Sequence, residues 1–199
     1  MVIALFRHGV TEENKRKAYL GWNDSPLWMK SKEMSTSKSY EIYFSSDLQR
    51  CISTAEILFP HNIPFLLKDL REMNFGQWEG KTYDDLKENQ LYRQWLSNPV
   101  TNCPPEGEPF HEFTNRVKNG WDKIIQKVLS QRLQSCAVIT HGGVIRYLLS
   151  TFAPEQKDFW EWQAKHDQGF ELIFNREALR RGERCTLLQE VPLTAKELG

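Results

Sequence analysis

The sequence predicts an α/β fold: a three-layer α/β/α sandwich with a mostly parallel central sheet and a small helical and loop cap insertion. Two observations carry this. Strand-like apolar runs alternate with helical stretches, the pattern of helices crossing between strands of one sheet. Two of those runs, Val2-Ile3-Ala4-Leu5-Phe6 and Ala137-Val138-Ile139-Thr140, are short and continuously apolar, as strands buried on both faces are. The 199 residues fit one domain, 1–199, long enough to bury a sizeable core.

Strands are expected at 2–6, 41–45, 63–67, 136–140, 169–174 and 184–190. The first runs into Arg7-His8-Gly9. Residues 47–59 read as a helix with Asp47 as N-cap, carrying Leu48, Ile52, Ala55, Leu58 and Phe59. Residues 82–96 are short and helical, with Tyr83, Leu86, Tyr92 and Trp95. Residues 97–109 hold Pro99, Pro104, Pro105, Gly107 and Pro109 and read as a loop. Together 75–110 form the cap insertion at the sheet edge. The longest helix spans 109–130, where Phe110, Phe113, Val117, Trp121, Ile124, Ile125, Val128 and Leu129 recur at helical spacing. The strand at 136–140 runs into His141-Gly142-Gly143 and a helix over 143–152. A further helix is expected over 155–165, with Phe159, Trp160 and Trp162.

Lys+Arg and Asp+Glu both number 26, so the formal net charge is zero. That balance gives no whole-molecule attraction to nucleic acid or to an anionic membrane. No apolar run reaches the length of a membrane span, and the opening run stops at Arg7, too short for a signal-peptide core. A cytoplasmic protein is expected, a monomer or homodimer. Cys51, Cys103, Cys136 and Cys185 are widely separated, which indicates neither a zinc site nor a disulfide framework.

Both histidine turns follow strands, and ligands of open parallel sheets sit beyond the carboxyl ends of the strands. A neutral imidazole is a competent nucleophile near pH 7. Arg7 offers a planar fork of donors to phosphate oxygens, and Gly9 lets a ligand approach the backbone. A single Arg-His-Gly turn would read as a strand-end histidine bonded to a carbonyl, but the second His-Gly turn weakens that reading. Arg50 follows Ser45-Ser46-Asp47-Leu48-Gln49 on the first turn of a helix, where anions are favoured. Releasing an alcohol from a phosphomonoester needs an acid. Glu72 is the candidate, and Glu79 in the same segment reads better as a surface carboxylate.

Taken together, these residues resemble the histidine phosphatase superfamily, the phosphoglycerate-mutase-like fold. Arg7-His8-Gly9-Val10-Thr11-Glu12-Glu13-Asn14 is similar to its R-H-G-x-T-x-x-N signature. The likeness continues through Leu20 to Leu27, Ser45 to Arg50 with Thr54-Ala55-Glu56, Leu70 to Gly80, and His141 to Arg146. The resemblance implies that His8 becomes phosphohistidine. Arg7, Arg50 and His141 would surround the phosphoryl group, with added hydrogen bonds from Asn14 and the backbone near Gly21 and Gly142. Glu72 falls at the general acid of the phosphatases. No cofactor and no metal is implied, and the partner would be a small phosphorylated metabolite.

The chain departs from the pattern at Val10 and Glu13, and in 28–39, which is shorter than the family's usual helix there. A cofactor-dependent phosphoglycerate mutase is the alternative within the family. Glu72-Met73-Asn74-Phe75-Gly76 stands where mutases carry Glu-Arg-His-Tyr-Gly, and 82–110 holds no Arg-Arg pair. A non-catalytic member binding a phospho-ligand or a partner is the alternative outside catalysis. Cys103-Pro104-Pro105-Glu106-Gly107-Glu108 resembles a block of α-ribazole phosphatases and broad-specificity bacterial phosphatases, as does the stretch from Phe159 to Trp162 with His166. The expected reaction is hydrolysis of a small phosphomonoester, with α-ribazole 5′-phosphate, from cobalamin assembly, as one candidate. A cap pocket lined by Trp22, Tyr83, Tyr92 or Trp95 would favour a larger alcohol.

Overall fold

A computed structural model describes residues 1–195. Along the described residues run β1 (Val2–Arg7), α1 (Glu12–Lys15), β2 (Met34–Ser35), β3 (Ile42–Ser45), α2 (Gln49–Leu58), β4 (Phe65–Leu66), α3 (Tyr83–Leu86) and α4 (Gln90–Ser97). There follow α5 (Phe110–Ser130), β5 (Ser135–Thr140), α6 (Gly142–Phe152), β6 (Gln168–Ile173), α7 (Arg176–Arg180), β7 (Leu187–Pro192) and β8 (Thr194–Ala195). The main sheet has the order β4-β3-β5-β1-β6-β7. Its first four strands are parallel, while β6 runs antiparallel to β1 and to β7. β2 and β8 form a separate small ribbon. Among the described residues no helix is long and apolar enough to cross a membrane.

The register puts alternate residues on opposite faces. Ile3 pairs with Cys136 and Leu5 with Val138. These side chains pack with Phe113, Val117 and Ile124 of α5 and Ile145 and Leu148 of α6. The other face carries Ala4, Phe6, Ala137 and Ile139, which pack on Cys51, Ala55 and Leu58 of α2 and on Phe59. Helices therefore cover both faces, and the fold is α/β with a mostly parallel sheet. The periodic face of α5 is the buried one, and Trp121 stacks on Phe152 with centroids 4.6 Å apart.

Several local expectations are corrected. Residues 155–165 are irregular rather than helical. The Glu161 carboxylate accepts from the Asp158 N–H at 2.7 Å, and Phe159 and Trp160 lean on Phe110 at 5.1 and 6.0 Å. Those aromatic contacts outweigh the modest helix preference of such residues. Asp47 does not cap α2. It binds Arg71 through two contacts of 2.7 and 2.6 Å, and Leu48 takes the cap position. The cap is supplied from afar: Asp24 accepts from the Gln49 and Arg50 N–H groups. Residues 82–96 break into two helices because Asn89 starts a new one, accepting from the Tyr92 N–H at 3.1 Å. Residues 28–39 contain only a short 3-10 turn, Met29–Glu33, before β2.

The cap has an aromatic cluster of its own. Trp78, Leu86, Tyr92 and Trp95 are buried together with Tyr19 and Phe75 against them. Tyr19 and Tyr92 join hydroxyls at 2.7 Å. This cluster is separate from the two that flank the sheet, and it overhangs the site described next.

Candidate active site

The adjacent parallel strands β3, β5 and β1 end side by side. Each delivers part of the site: Ser46 to Arg50 after β3, His141 after β5, and Arg7-His8-Gly9 at the end of β1. The rings of His8 and His141 stand 5.2 Å apart between centroids.

His8 is only 3% exposed. Its Nδ1 lies 2.8 Å from the Gly9 carbonyl oxygen. A carbonyl only accepts, so the proton is on Nδ1 and the Nε2 lone pair is free. Burial, reinforced by the charges of Arg50 and Arg7, holds the His8 pKa well below that of an ordinary imidazole. The ring is neutral at physiological pH, the state a nucleophile requires. His141 is fully buried. Its Nε2 meets the Ser46 hydroxyl at 2.9 Å, and burial and Arg50 hold its pKa well down too.

Arg50 is 1% exposed. Its guanidinium donates to the carbonyls of Asn23 (2.8 Å) and Gly21 and pairs with Asp24 at 3.2 Å. Arg7 donates to the Ala164 carbonyl at 2.6 Å, and burial lowers its pKa to about 10 against the opposing pull of Glu72. It remains a cation at neutral pH. The Nε atoms of both arginines are buried without a partner among the described residues. Two such donors are a standing cost that an anion between them would relieve. Gly142 makes room for one of them, since a Cβ there would lie 3.2 Å from Arg7 Cζ. It also opens α6, whose N-terminus favours negative charge.

Glu72 rests on that helix start. Its carboxylate accepts from the Gly143 N–H at 2.9 Å and the Met73 N–H at 3.0 Å. Its carbonyl accepts from Trp22 Nε1 at 2.9 Å and from Arg116 at 3.1 Å. Trp22 in turn lies over the guanidinium of Arg71 at 5.1 Å.

Other expected residues sit differently. Glu79 is not a free surface carboxylate: it accepts from the N–H groups of Gly21 and Trp22 (2.9 Å each), Asn23 (3.3 Å) and Phe75 (3.0 Å). Gly21 thereby gives its N–H to Glu79 and its carbonyl to Arg50, which makes it a support for the arginine rather than a phosphate donor. Asn14 uses its Oδ1 on the Thr11 N–H (3.2 Å) in the capping box of α1.

Sequence reasoning gave no site role to three residues, although the resemblance took in Arg146 and His166. Arg116 donates to the carbonyls of Asp69, Arg71 and Glu72 and pairs with Glu108 at 2.7 Å, so it holds the Glu72 segment in place. On α5 it reads as one more polar-face residue. Arg146 lines two cavities at the site, and His166 lies 5.2 Å from the His8 ring. Their places depend on tertiary contacts with no local signal.

A cavity of about 710 Å³ opens beside Glu72, walled by Phe75, Trp95, Phe113, Phe159 and Trp160, with Arg146 at its edge. Of the cap aromatics expected to line it, Trp95 does, whereas Trp22, Tyr83 and Tyr92 do not. A second cleft of about 710 Å³ is bordered by Arg7, Arg146, Lys165 and His166. Among the described residues no group of three or more His, Cys, Asp or Glu side chains is arranged to hold a metal ion.

Comparison with known proteins agrees with this geometry. The family model of the histidine phosphatase superfamily, branch 1, matches residues 3–177. An adenosylcobalamin/alpha-ribazole phosphatase of Escherichia coli is 28% identical over 85% of this chain and 87% of its own. The structure of the alpha-ribazole phosphatase from Shigella flexneri superposes with a TM-score of 0.82 at 21% identity, covering 100% of both chains. A structure titled phosphoglycerate mutase, from Thermus thermophilus, reaches a TM-score of 0.71 at 27% identity over 98% of this chain and 100% of that one. The chain belongs to the histidine phosphatase superfamily, branch 1.

Proposed function

We propose that the protein is a metal-independent phosphomonoester hydrolase that works through a phosphohistidine at His8. One observation carries this reading. A neutral His8 with a free Nε2 stands among Arg7, Arg50 and His141, and both arginines keep an unpartnered Nε. Phosphoryl transfer needs positioning and charge neutralisation more than covalent help. Here guanidinium groups and the start of α6 supply positive charge to the phosphoryl oxygens.

In the first step His8 Nε2 attacks phosphorus and the bond to the ester oxygen breaks. Glu72, carrying a proton, gives it to the departing alkoxide. In the second step water attacks phosphorus, the P–N bond breaks, and the water proton passes to Glu72. Asn14 amide and Gly142 backbone donors would add hydrogen bonds to the phosphoryl group.

The alcohol portion would occupy the apolar cavity beside Glu72. That favours hydrolysis over the mutase reaction, because the cavity wall holds no paired arginines. Arg93 sits away from it, against Glu88. The names of the relatives make α-ribazole 5′-phosphate the first ester to assay. A panel of phosphorylated metabolites, 3-phosphoglycerate included, tests the reading. Turnover of an ester with acid-labile, base-stable label on His8, lost in His8→Ala, is the expected result. Interconversion of phosphoglycerates would establish the mutase instead, and ligand binding without label would establish a non-catalytic member.

A further inference from the structure

His166 is a half-buried imidazole that the proposed chemistry does not use. Its Nδ1 lies 2.7 Å from the backbone oxygen of His8. The carbonyl accepts, so Nδ1 carries the proton and donates. The β1–β6 ladder ends at Phe6 and Gly169. Continuing its antiparallel count sets position 166 across from position 9, just beyond the last pair. The imidazole thus supplies a side-chain bond where the ladder has stopped.

The same peptide unit has a second anchor. The Gly9 N–H, on the other side of the His8–Gly9 bond, donates to Thr54 Oγ1 at 2.9 Å. Thr54 donates in turn to the Arg50 carbonyl at 2.7 Å. The peptide following the nucleophile is therefore gripped at its oxygen by His166 and at its nitrogen by Thr54. A planar peptide held at both ends cannot rotate. Its orientation sets the position of the next carbonyl, Gly9 O, which holds His8 Nδ1 at 2.8 Å. Two side chains outside the proposed catalytic set thus fix the direction of Nε2. The segment is tied a second time to β1 by Arg7 donating to Ala164.

We infer that His166 is a positioning residue, which aims the His8 nucleophile by fixing the His8–Gly9 peptide through its Nδ1–H. The inference rests on His8 being the phosphorylated group. It requires an N–H donor at Nδ1 and no proton transfer. Asparagine places an amide N–H near that position, while leucine places none.

The test compares wild type, His166→Asn and His166→Leu with 4-nitrophenyl phosphate, following His8 labelling in a single turnover as well as kcat and KM. A misplacement of about 1 Å costs roughly 10²-fold in rate. His166→Leu is expected to slow labelling and kcat about 10- to 100-fold with KM within about threefold, and His166→Asn to stay within about threefold of wild type on both. Thr54→Val removes the other anchor with little change of shape and is expected to show the same loss in kcat at constant KM, even if His166→Leu does not fold. An unchanged rate in His166→Leu or in Thr54→Val overturns the inference. Equal losses in Asn and Leu overturn it too, since they would assign the ring a proton-transfer role. Wild type that never labels at His8 defeats the functional reading itself, a result distinct from either.

Discussion

The sharpest prediction concerns Gly143→Ala. A Cβ at Gly143 would lie 2.2 Å from Glu72 Oε1 and 3.2 Å from Phe113 Cζ. Ordinary contacts are about 3.5 Å or longer, so the carboxylate must retreat by more than an ångström. It then gives up the bonds from the Gly143 and Met73 N–H groups. Nothing on His8, Arg7 or Arg50 changes. Alanine in place of glycine favours the helix by up to about 1 kcal/mol, which partly offsets the two lost bonds of about 0.5–1.5 kcal/mol each. The fold should survive, with a shift of no more than about 2 kcal/mol in urea unfolding. General acid catalysis contributes about 10²–10⁴-fold. Hydrolysis of an alkyl phosphate, whose alkoxide needs a proton, is therefore expected to fall about 100-fold or more. Hydrolysis of 4-nitrophenyl phosphate, whose leaving group needs none, should change by less than about fivefold. Steady-state kcat/KM on the two esters is the assay. An equal fall on both, or no fall on the alkyl ester, would refute the acid role of Glu72 and its dependence on a glycine at the start of α6.

Glu79→Ala removes the acceptor for four backbone N–H groups. It should cost about 2–4 kcal/mol in urea unfolding, and it should raise KM because the Gly21 and Asn23 carbonyls that steady Arg50 are loosened. Unchanged stability would mean that water replaces the carboxylate freely. Stability should also depend on pH. His8 and His141 are held well below the usual imidazole value and His166 at about 4. The unfolded chain, with histidine pKa near 6.5, therefore takes up protons first as pH falls. The stabilisation is complete above about pH 6.5 and declines below it, by up to about 4 kcal/mol per pH unit while all three differ between states. Urea midpoints at pH 7.5 and 5.5 should differ accordingly, and equal midpoints would show that these rings are not buried neutral.

Much of the architecture was legible because it rests on local pattern. The runs at 2–6 and 136–140 became the two central parallel strands, and the spacing from Phe113 to Val128 became the buried face of α5. The histidine turns and Arg50 were legible for the same reason, since each histidine directly follows a strand and Arg50 lies on the first turn of the helix after one. What escaped depends on partners far along the chain. Asp47 looked like a cap, but Asp24 supplies that function from 25 residues away. Glu79 looked like a surface acid until the 21–23 loop folded over it. The helix expected over 155–165 lost to aromatic contacts with Phe110. His166 finds its role only once β6 lies antiparallel beside β1. A sequence displays the face of a helix, but not which remote carbonyl an imidazole will reach.

The placing of β1 bears on how the molecule is made. The strand that leads into His8 leaves the ribosome well before its neighbours, residues 135–140 and 168–173. At roughly 5–20 residues per second, β1 waits on the order of ten seconds for its first partner. Throughout that wait a fully apolar run is without a sheet. Closing so long a loop also makes pairing slow. The pairing that brings the His8 and His141 turns together is thus a late event in synthesis, and the nascent chain is exposed to aggregation until it occurs.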